Sequence, residues 1–200
     1  MKIVVIGASG TIGAAVVAAL SGRHDVISVS RTSGDYNADI QDKASLEKLF
    51  ASVGPVDAVI STAGGGAFKP LEQLSDADFA HSLNYKLMGQ VNVIRTALAA
   101  VQPNGVIIVS TGVLAQEPMP AGSAISMINS GLEGFVRGAA IDLKGKVRIN
   151  AVSPPWVSET LVGMGQDGAD GMPAADVAKA YVQLLENDVT GQVLDARTVR

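Results

Sequence analysis

Short runs of β-branched and aliphatic residues recur along the chain, separated by longer stretches whose apolar positions fall at helical spacing. The run KIVVI at 2–6 is stopped by glycine and reads as a buried strand. DVISVS at 25–30, VDAVIST at 56–62, GVIIVST at 105–111 and VRINAVS at 147–153 read the same way, and a short QVLDA follows near the end. TIGAAVVAALSG at 11–22 has the density of a helix with Gly22 as its C-cap, and DKASLEKLFASVG at 42–54 is amphipathic and ends on glycine. Further helices are predicted at about 75–101, 122–144 and 173–187. Strands that are apolar throughout need cover on both faces, so the alternation implies a parallel sheet between two helical layers. The expected fold is α/β, in a single domain without repeats or linkers.

Composition narrows the function classes. The 200 residues are 48% hydrophobic and 17% charged, with 22 glycines, as suits buried parallel strands and tight turns. Net charge is −4 and the basic residues are scattered singly, which argues against a nucleic-acid partner. The absence of cysteine removes disulfides, thiolate metal sites and a Cys nucleophile, and His24 and His81 lie too far apart to suggest a metal site. No segment approaches the roughly 18 apolar residues of a membrane span, and the opening run is too short for a signal peptide. A cytoplasmic protein with no membrane partner is expected.

The stretch VVIGASGTIGAAVV places Gly7, Gly10 and Gly13 between the first strand and the first helix. Gly7 permits the tight turn, Gly10 lets backbone approach a pyrophosphate, and Gly13 allows close helix–strand packing. The helix N-terminus that follows supplies N–H donors and a favourable dipole, so Ser9, Thr11 and Ile12 join the candidate phosphate site. After the second strand an acidic residue would select a ribose 2′-hydroxyl, but the chain has SVSRTSGD. Ser30, Arg31, Thr32 and Ser33 offer a guanidinium and hydroxyls suited to a 2′-phosphate, which favours NADP(H) over NAD(H).

From here the chain resembles the short-chain dehydrogenase/reductase family nearly end to end. The matching segments, in family order, are GASGTIG, NADIQD, STAGG, LNYKLMGQVNVIRTAL, GVIIVST, GLEGFVRGAAIDL and VRINAVSPPWVSET. The resemblance implies a seven-stranded, doubly wound Rossmann sheet and NAD(P)-dependent oxidation or reduction of a carbonyl/alcohol pair. It also implies that Asp39 and Ile40 flank adenine, that Ala63 and Gly64 line the adenosine ribose, and that the Val157 backbone holds the nicotinamide amide, with Gly65 and Pro154 as further cofactor contacts. Asn84 corresponds to the asparagine of the family's proton relay.

The departures decide the mechanism. Arg31 and Asp39 lie only eight positions apart, so a helix usual in the family is missing there, and its Pro-Gly turn is Pro154-Pro155. Family enzymes carry Tyr-x-x-x-Lys on the helix after the fifth strand, with a serine about a dozen residues earlier. Residues four apart share a helical face, so the lysine can lower the tyrosine pKa and hold the cofactor ribose. Anchoring on LEGFVRG puts Ile125 at the tyrosine position and Asn129 at the lysine position. A hydroxyl survives as Ser110 or Thr111, with a one-residue gap favouring Thr111. Tyr36 and Tyr181 belong to other regions, and Tyr85 and Lys86 follow Asn84 on the long helix, where they would have to reorient to reach the site.

Thr111, Ser110, Asn84 and Asn129 are therefore the candidate catalytic residues, with Asn129 also a ribose contact. The expected function is an NADP(H)-dependent oxidoreductase of altered mechanism on a small-molecule carbonyl or alcohol. The competing reading is a catalytically silent NADPH-binding sensor or partner subunit. Gly131, Gly134 and Gly138 recur at helical spacing and suggest a close helix–helix interface in a homodimer or homotetramer. Trp156 is a candidate cap for the substrate pocket, and the glycine-rich loop at 163–173 a candidate lid.

Overall fold

The computed structural model describes residues 1–199. Seven parallel strands form one sheet: β1 (Lys2–Ile6), β2 (Asp25–Ser30), β3 (Tyr36–Asn37), β4 (Val56–Ser61), β5 (Val101–Ser110), β6 (Arg148–Ser153) and β7 (Val193–Asp195). Their spatial order is β3-β2-β1-β4-β5-β6-β7. The order reverses direction between β1 and β4, which opens a crevice at the carboxyl ends of those two strands.

Every predicted strand is present, and β3 is a two-residue addition that the pattern is too short to announce. It pairs in parallel with the end of β2, Val29 opposite Tyr36 and Ser30 opposite Asn37. Both faces of the sheet are buried, as the apolar runs require. In β1, Val4 and Ile6 join one core while Ile3 and Val5 join the other. The first core is covered by α2 (Lys43–Val53), α4 (Gly89–Ala97) and α5 (Ser123–Asp142); the second by α1 (Thr11–Leu20) and α7 (Ala174–Glu186).

Two of the predicted helices differ in the structure. The first helix ends at Leu20 with Ser21 as its C-cap, so Gly22 lies beyond it. The second ends as predicted, on Gly54 in a left-handed conformation (φ 71°). The helix predicted at 75–101 is interrupted: α3 (Asp76–Ser82) runs into a π-helical segment, Leu83–Met88, before α4 begins. Gly89 N–H bonds the carbonyl of Asn84, five residues back. This wider turn shifts the angular phase of the residues it contains, and π-turns of this kind cluster at functional sites. Among the described residues no helix is long and apolar enough to cross a membrane.

Candidate active site

Two cavities lie along the crevice. The first, of about 270 Å³, is lined by the turn after β1 (Gly7, Ser9, Gly10), the end of β2 (Ser30, Arg31), Ala38, Asp39 and Ile40, and Thr62, Ala63 and Gly64 after β4. The second, of about 470 Å³, is lined by Gly64 to Gly66, the turn after β5 (Thr111 to Leu114), Ile125 and Asn129 of α5, and Pro154, Pro155 and Trp156 after β6. Gly64 belongs to both, so the two are halves of one groove.

The glycine turn is built as its spacing requires. Gly7 has φ +88°, and a side chain there would also strike Ala63 N at 2.8 Å. A Cβ on Gly13 would sit 2.0 Å from the Gly7 carbonyl oxygen, so helix α1 packs on the turn itself. A Cβ on Gly10 meets nothing closer than that oxygen at 3.3 Å and would occupy the cradle instead. Thr11 and Ile12 open α1 without lining the cavity, and Gly13 is buried behind it.

On the adenine side, Asp39 accepts from Gln41 N at 2.9 Å, an Asx turn that aims the segment, and Ile40 is buried beside it. The Arg31 guanidinium lies 5.8 Å from the Tyr85 ring centroid, and Tyr85 lines the same cavity. Ser30 differs from expectation in its chemistry: its hydroxyl bonds the Ser33 carbonyl and Ser33 hydroxyl and accepts from Ser33 N. Ser30 lines the first cavity, but its hydroxyl is engaged in closing the turn. Thr32 is exposed and lines neither cavity.

In the second cavity, Asn129 is 2% exposed, and its Nδ2 donates to the Gly112 carbonyl at 3.4 Å. Its Oδ1 is buried without a partner. A buried acceptor without a donor is costly, and a ribose hydroxyl would satisfy it. The residues present thus fit a nicotinamide dinucleotide: a glycine cradle at a helix N-terminus for the pyrophosphate, and an orphaned acceptor where the second ribose would lie. Thr111 lines this cavity while its hydroxyl donates to the Val152 carbonyl at 3.2 Å. Ile125 projects into it, in the position that the family's tyrosine would hold.

Other candidates line neither cavity. Ser110 is buried behind the cavity, its hydroxyl donating to the Ser61 carbonyl at 2.7 Å and lying 2.6 Å from the Tyr181 hydroxyl. Burial pushes the Tyr181 phenol well above its usual pKa, so this pair is a fixed strut between sheet and α7. Asn84 is exposed and lines neither cavity, because the π-turn points it outward. Val157 is buried, and its carbonyl accepts from Thr160 N and Leu161 N to open α6 (Ser158–Gly163). Pro154, by contrast, lines the cavity. Trp156 caps it, edge-on to Phe68 at 5.7 Å between centroids. The glycine-rich segment at 163–173 is tied at its far end: Ser158 N donates to the Met172 carbonyl, Met172 N to the Trp156 carbonyl, and Ala174 N to the Glu159 carboxylate. Met164 from this segment reaches the cavity.

The residue that sequence reasoning set aside is Lys86. The π-turn carries it into the second cavity, where its Nζ donates to the Thr111 carbonyl at 3.1 Å. A Cβ on Gly64 would meet Lys86 Cα at 3.1 Å, so the bare glycine lets the segment approach. Desolvation lowers the ammonium pKa from 10.5 to about 8. The signal was available only in part, as a lysine two residues after Asn84 on the long helix.

A family profile described as Enoyl-(Acyl carrier protein) reductase matches residues 11–195. Hydroxynaphthalene reductase arp2 of Aspergillus fumigatus is 29% identical over 138 residues, which is 66% of this chain and 50% of that protein. The chain therefore spans about half the length of this relative. Among solved structures, the protein lin1944 from Listeria innocua superposes with a TM-score of 0.92 at 34% identity, covering 98% of both chains. A small-chain dehydrogenase solved with NADPH superposes at 0.86 with 24% identity, covering 98% of this chain and 95% of that one, a likeness of fold. Strand order, crevice and a profile match over nearly the whole length agree, and the chain belongs to the short-chain dehydrogenase/reductase family of oxidoreductases.

Proposed function

We propose that this protein is an NADP(H)-dependent oxidoreductase acting on a small carbonyl or alcohol, with a catalytic site that departs from the family's. The observation that carries the reading is the groove: a glycine cradle at one end, an orphaned buried Asn129 acceptor at the other, and Gly64 joining the halves. The like-folded small-chain dehydrogenase holds NADPH. Arg31, free of any carboxylate partner among the described residues, supports the phosphorylated cofactor. The second cavity is largely apolar, with Phe68, Val113, Leu114, Ile125 and Trp156 on its walls, which suits an uncharged and flat substrate.

Titrating the protein with NADPH and NADH, read by cofactor fluorescence, tests the proposal. NADPH is expected to bind more tightly than NADH, and Arg31→Ala to weaken NADPH about tenfold while leaving NADH unchanged, the loss of one charge-assisted contact. Equal effects on both cofactors would remove Arg31 from the 2′-phosphate. Ile125 at the proton-donor position supports the second reading, a catalytically silent NADPH-binding sensor or partner subunit. Cofactor binding without turnover on any carbonyl would favour it.

A homodimer or homotetramer formed through α5 belongs to the same proposal. Gly131 packs internally, since a Cβ there would meet Leu87 at 3.3 Å, but Gly134 and Gly138 face open space. Met127 and Ile141 on the same helix are exposed. Gly134→Trp is expected to convert the assembly to monomer in light scattering, and a wild-type monomer at micromolar concentration would refute the interface.

A further inference from the structure

We propose that Lys86 is the acid of this site, donating a proton to the oxygen of an uncharged aromatic carbonyl bound in the second cavity. The inference rests on the reading of the groove as a dinucleotide site. It goes beyond that reading by assigning the proton to a residue on the π-turn, on the opposite wall from the helix where the family keeps its donor.

Among the described residues lining this cavity, Lys86 is the single titratable side chain; the others are glycines, prolines, hydroxyls, an amide and apolar groups. Lys86 Nζ and Asn129 Nδ2 bond the consecutive carbonyls of Thr111 and Gly112, so the two side chains flank one turn from opposite helices. An ammonium has three N–H donors. One is spent on Thr111, which leaves the rest for a ligand in the cavity. Desolvation brings the ammonium pKa to about 8, near the working range of a general acid.

Charged groups on the elements packed against the π-turn are engaged elsewhere or exposed. On α3, Asp78 pairs with Lys69 and Ser75, Asp76 is exposed, and His81 lies against the Tyr85 ring at 5.4 Å. On α5, Glu133 pairs with Arg137 and Gln116, and Asp142 is exposed; on α4, Arg95 is exposed. Tyr85, the neighbour of Lys86, faces the other cavity with Arg31 over its ring.

The step balances. When bound along the groove, a reduced nicotinamide dinucleotide would supply the hydride that the carbonyl carbon takes up. The C=O π electrons move onto oxygen, which takes one proton from the Lys86 ammonium and becomes a hydroxyl. Lys86 is left as a neutral amine and regains its proton from water. Lys86 must start protonated, so reduction is favoured below pH 8 and lost as pH rises through it. Phe68 and Trp156, packed edge to face, form an aromatic corner of the wall against which a flat ring can lie, and the absence of any cation other than Lys86 among the described lining residues disfavours a phosphorylated or carboxylated substrate.

The test uses phenanthrenequinone as carbonyl probe, NADPH as reductant, and the Lys86→Met variant, with folding checked by circular dichroism. Wild type is expected to lose kcat/KM above pH about 8, and Lys86→Met to fall 10²- to 10⁴-fold with a flat profile, while its NADPH Kd stays within threefold. A Lys86→Met variant with the wild-type profile overturns the proposal. So does one that loses NADPH affinity by tenfold or more, which would make Lys86 a ribose contact instead. A readout independent of turnover is the NMR titration of the Lys86 ε-methylene in the NADP⁺ complex, assigned by its loss in Lys86→Met. A midpoint near 8 that moves when the quinone is added supports the assignment. A midpoint above 10, or no response to the quinone, overturns it. Failure of wild type to bind NADPH at all would instead remove the dinucleotide reading beneath it.

Discussion

Gly13→Val is expected to leave little folded protein and no measurable NADPH binding. The Cβ would be built 2.0 Å from the Gly7 carbonyl oxygen, 2.7 Å from its carbon and 2.8 Å from the Thr62 hydroxyl. Two of those three atoms are backbone, held in place because Gly7 N donates to the Val29 carbonyl and the Gly7 carbonyl accepts from Gly10 N. Neither can move without breaking the turn, and valine adds two more methyl groups. Overpacking a core typically costs about 1–3 kcal/mol, and a backbone clash lies at or above the top of that range. Against a total stability of about 5–15 kcal/mol this is a large fraction. The denaturant midpoint reads the loss directly. Gly10→Ala is the informative contrast, since its Cβ meets nothing closer than the Gly7 carbonyl oxygen at 3.3 Å, a tight contact that a shift of a few tenths of an ångström relieves, and it enters the cradle. It should fold normally and bind NADPH at least tenfold more weakly. Wild-type affinity in Gly10→Ala would show that the pyrophosphate does not lie on this turn.

A second large effect is expected from placing a lysine on each wall of the second cavity. In family enzymes the lysine stands on the helix after the fifth strand; the motif spacing puts Asn129 at that position, and Lys86 lines the same cavity from the π-turn. Restoring the family residue alone, Asn129→Lys, would place a second ammonium beside the first. Two like charges about 4 Å apart at an effective dielectric near 20 would repel by about 4 kcal/mol. That exceeds the roughly 1.4 kcal/mol that deprotonating Lys86 costs one unit below its pKa of about 8, so the variant sheds that proton and loses about the smaller amount. The variant is therefore expected to melt below wild type at pH 7 and to match it as pH rises past 8, where Lys86 is neutral in wild type too. The exchanged pair Lys86→Asn with Asn129→Lys should recover the stability at pH 7. Adding Ile125→Tyr to that pair should raise ketone reduction by about 10²-fold or more, because a tyrosine four residues before a lysine has its pKa lowered toward neutrality. Differential scanning fluorimetry across pH measures the first two effects. Asn129→Lys with wild-type stability would mean that the two side chains do not share the cavity.

The layers of the fold were legible because hydrophobic periodicity reports burial directly. Continuous apolar strands such as KIVVI and GVIIVST can be satisfied only between two helical layers, and the glycines at 7, 10 and 13 have no other economical use at a strand–helix junction. The edge strand β3 was not legible, since two residues carry no period. Ser30 looked like a ligand because a hydroxyl after β2 is well placed in sequence. Its partner Ser33 is three residues on, and the turn between them consumes the hydroxyl locally. Ser110 and Thr111 are adjacent and chemically alike, yet in a strand successive side chains point to opposite faces. One therefore meets Tyr181 behind the sheet and the other meets the cavity.

The sequence by itself determined the sheet, the glycine cradle, the absence of the Tyr-x-x-x-Lys pair and the family resemblance, because each of these is carried by local pattern and spacing. What only the tertiary structure decided is which side of the long helix faces the site. A helical wheel drawn through 75–101 places Asn84 by an angle of about 100° per residue. The π-turn at Leu83–Met88 breaks that count, turning Asn84 to solvent, Tyr85 to the adenine half and Lys86 to the catalytic half. The turn is held by contacts that no short window of sequence contains: the bare Gly64 beneath Lys86, Leu87 against Gly131, and the Thr111 carbonyl waiting for an ammonium.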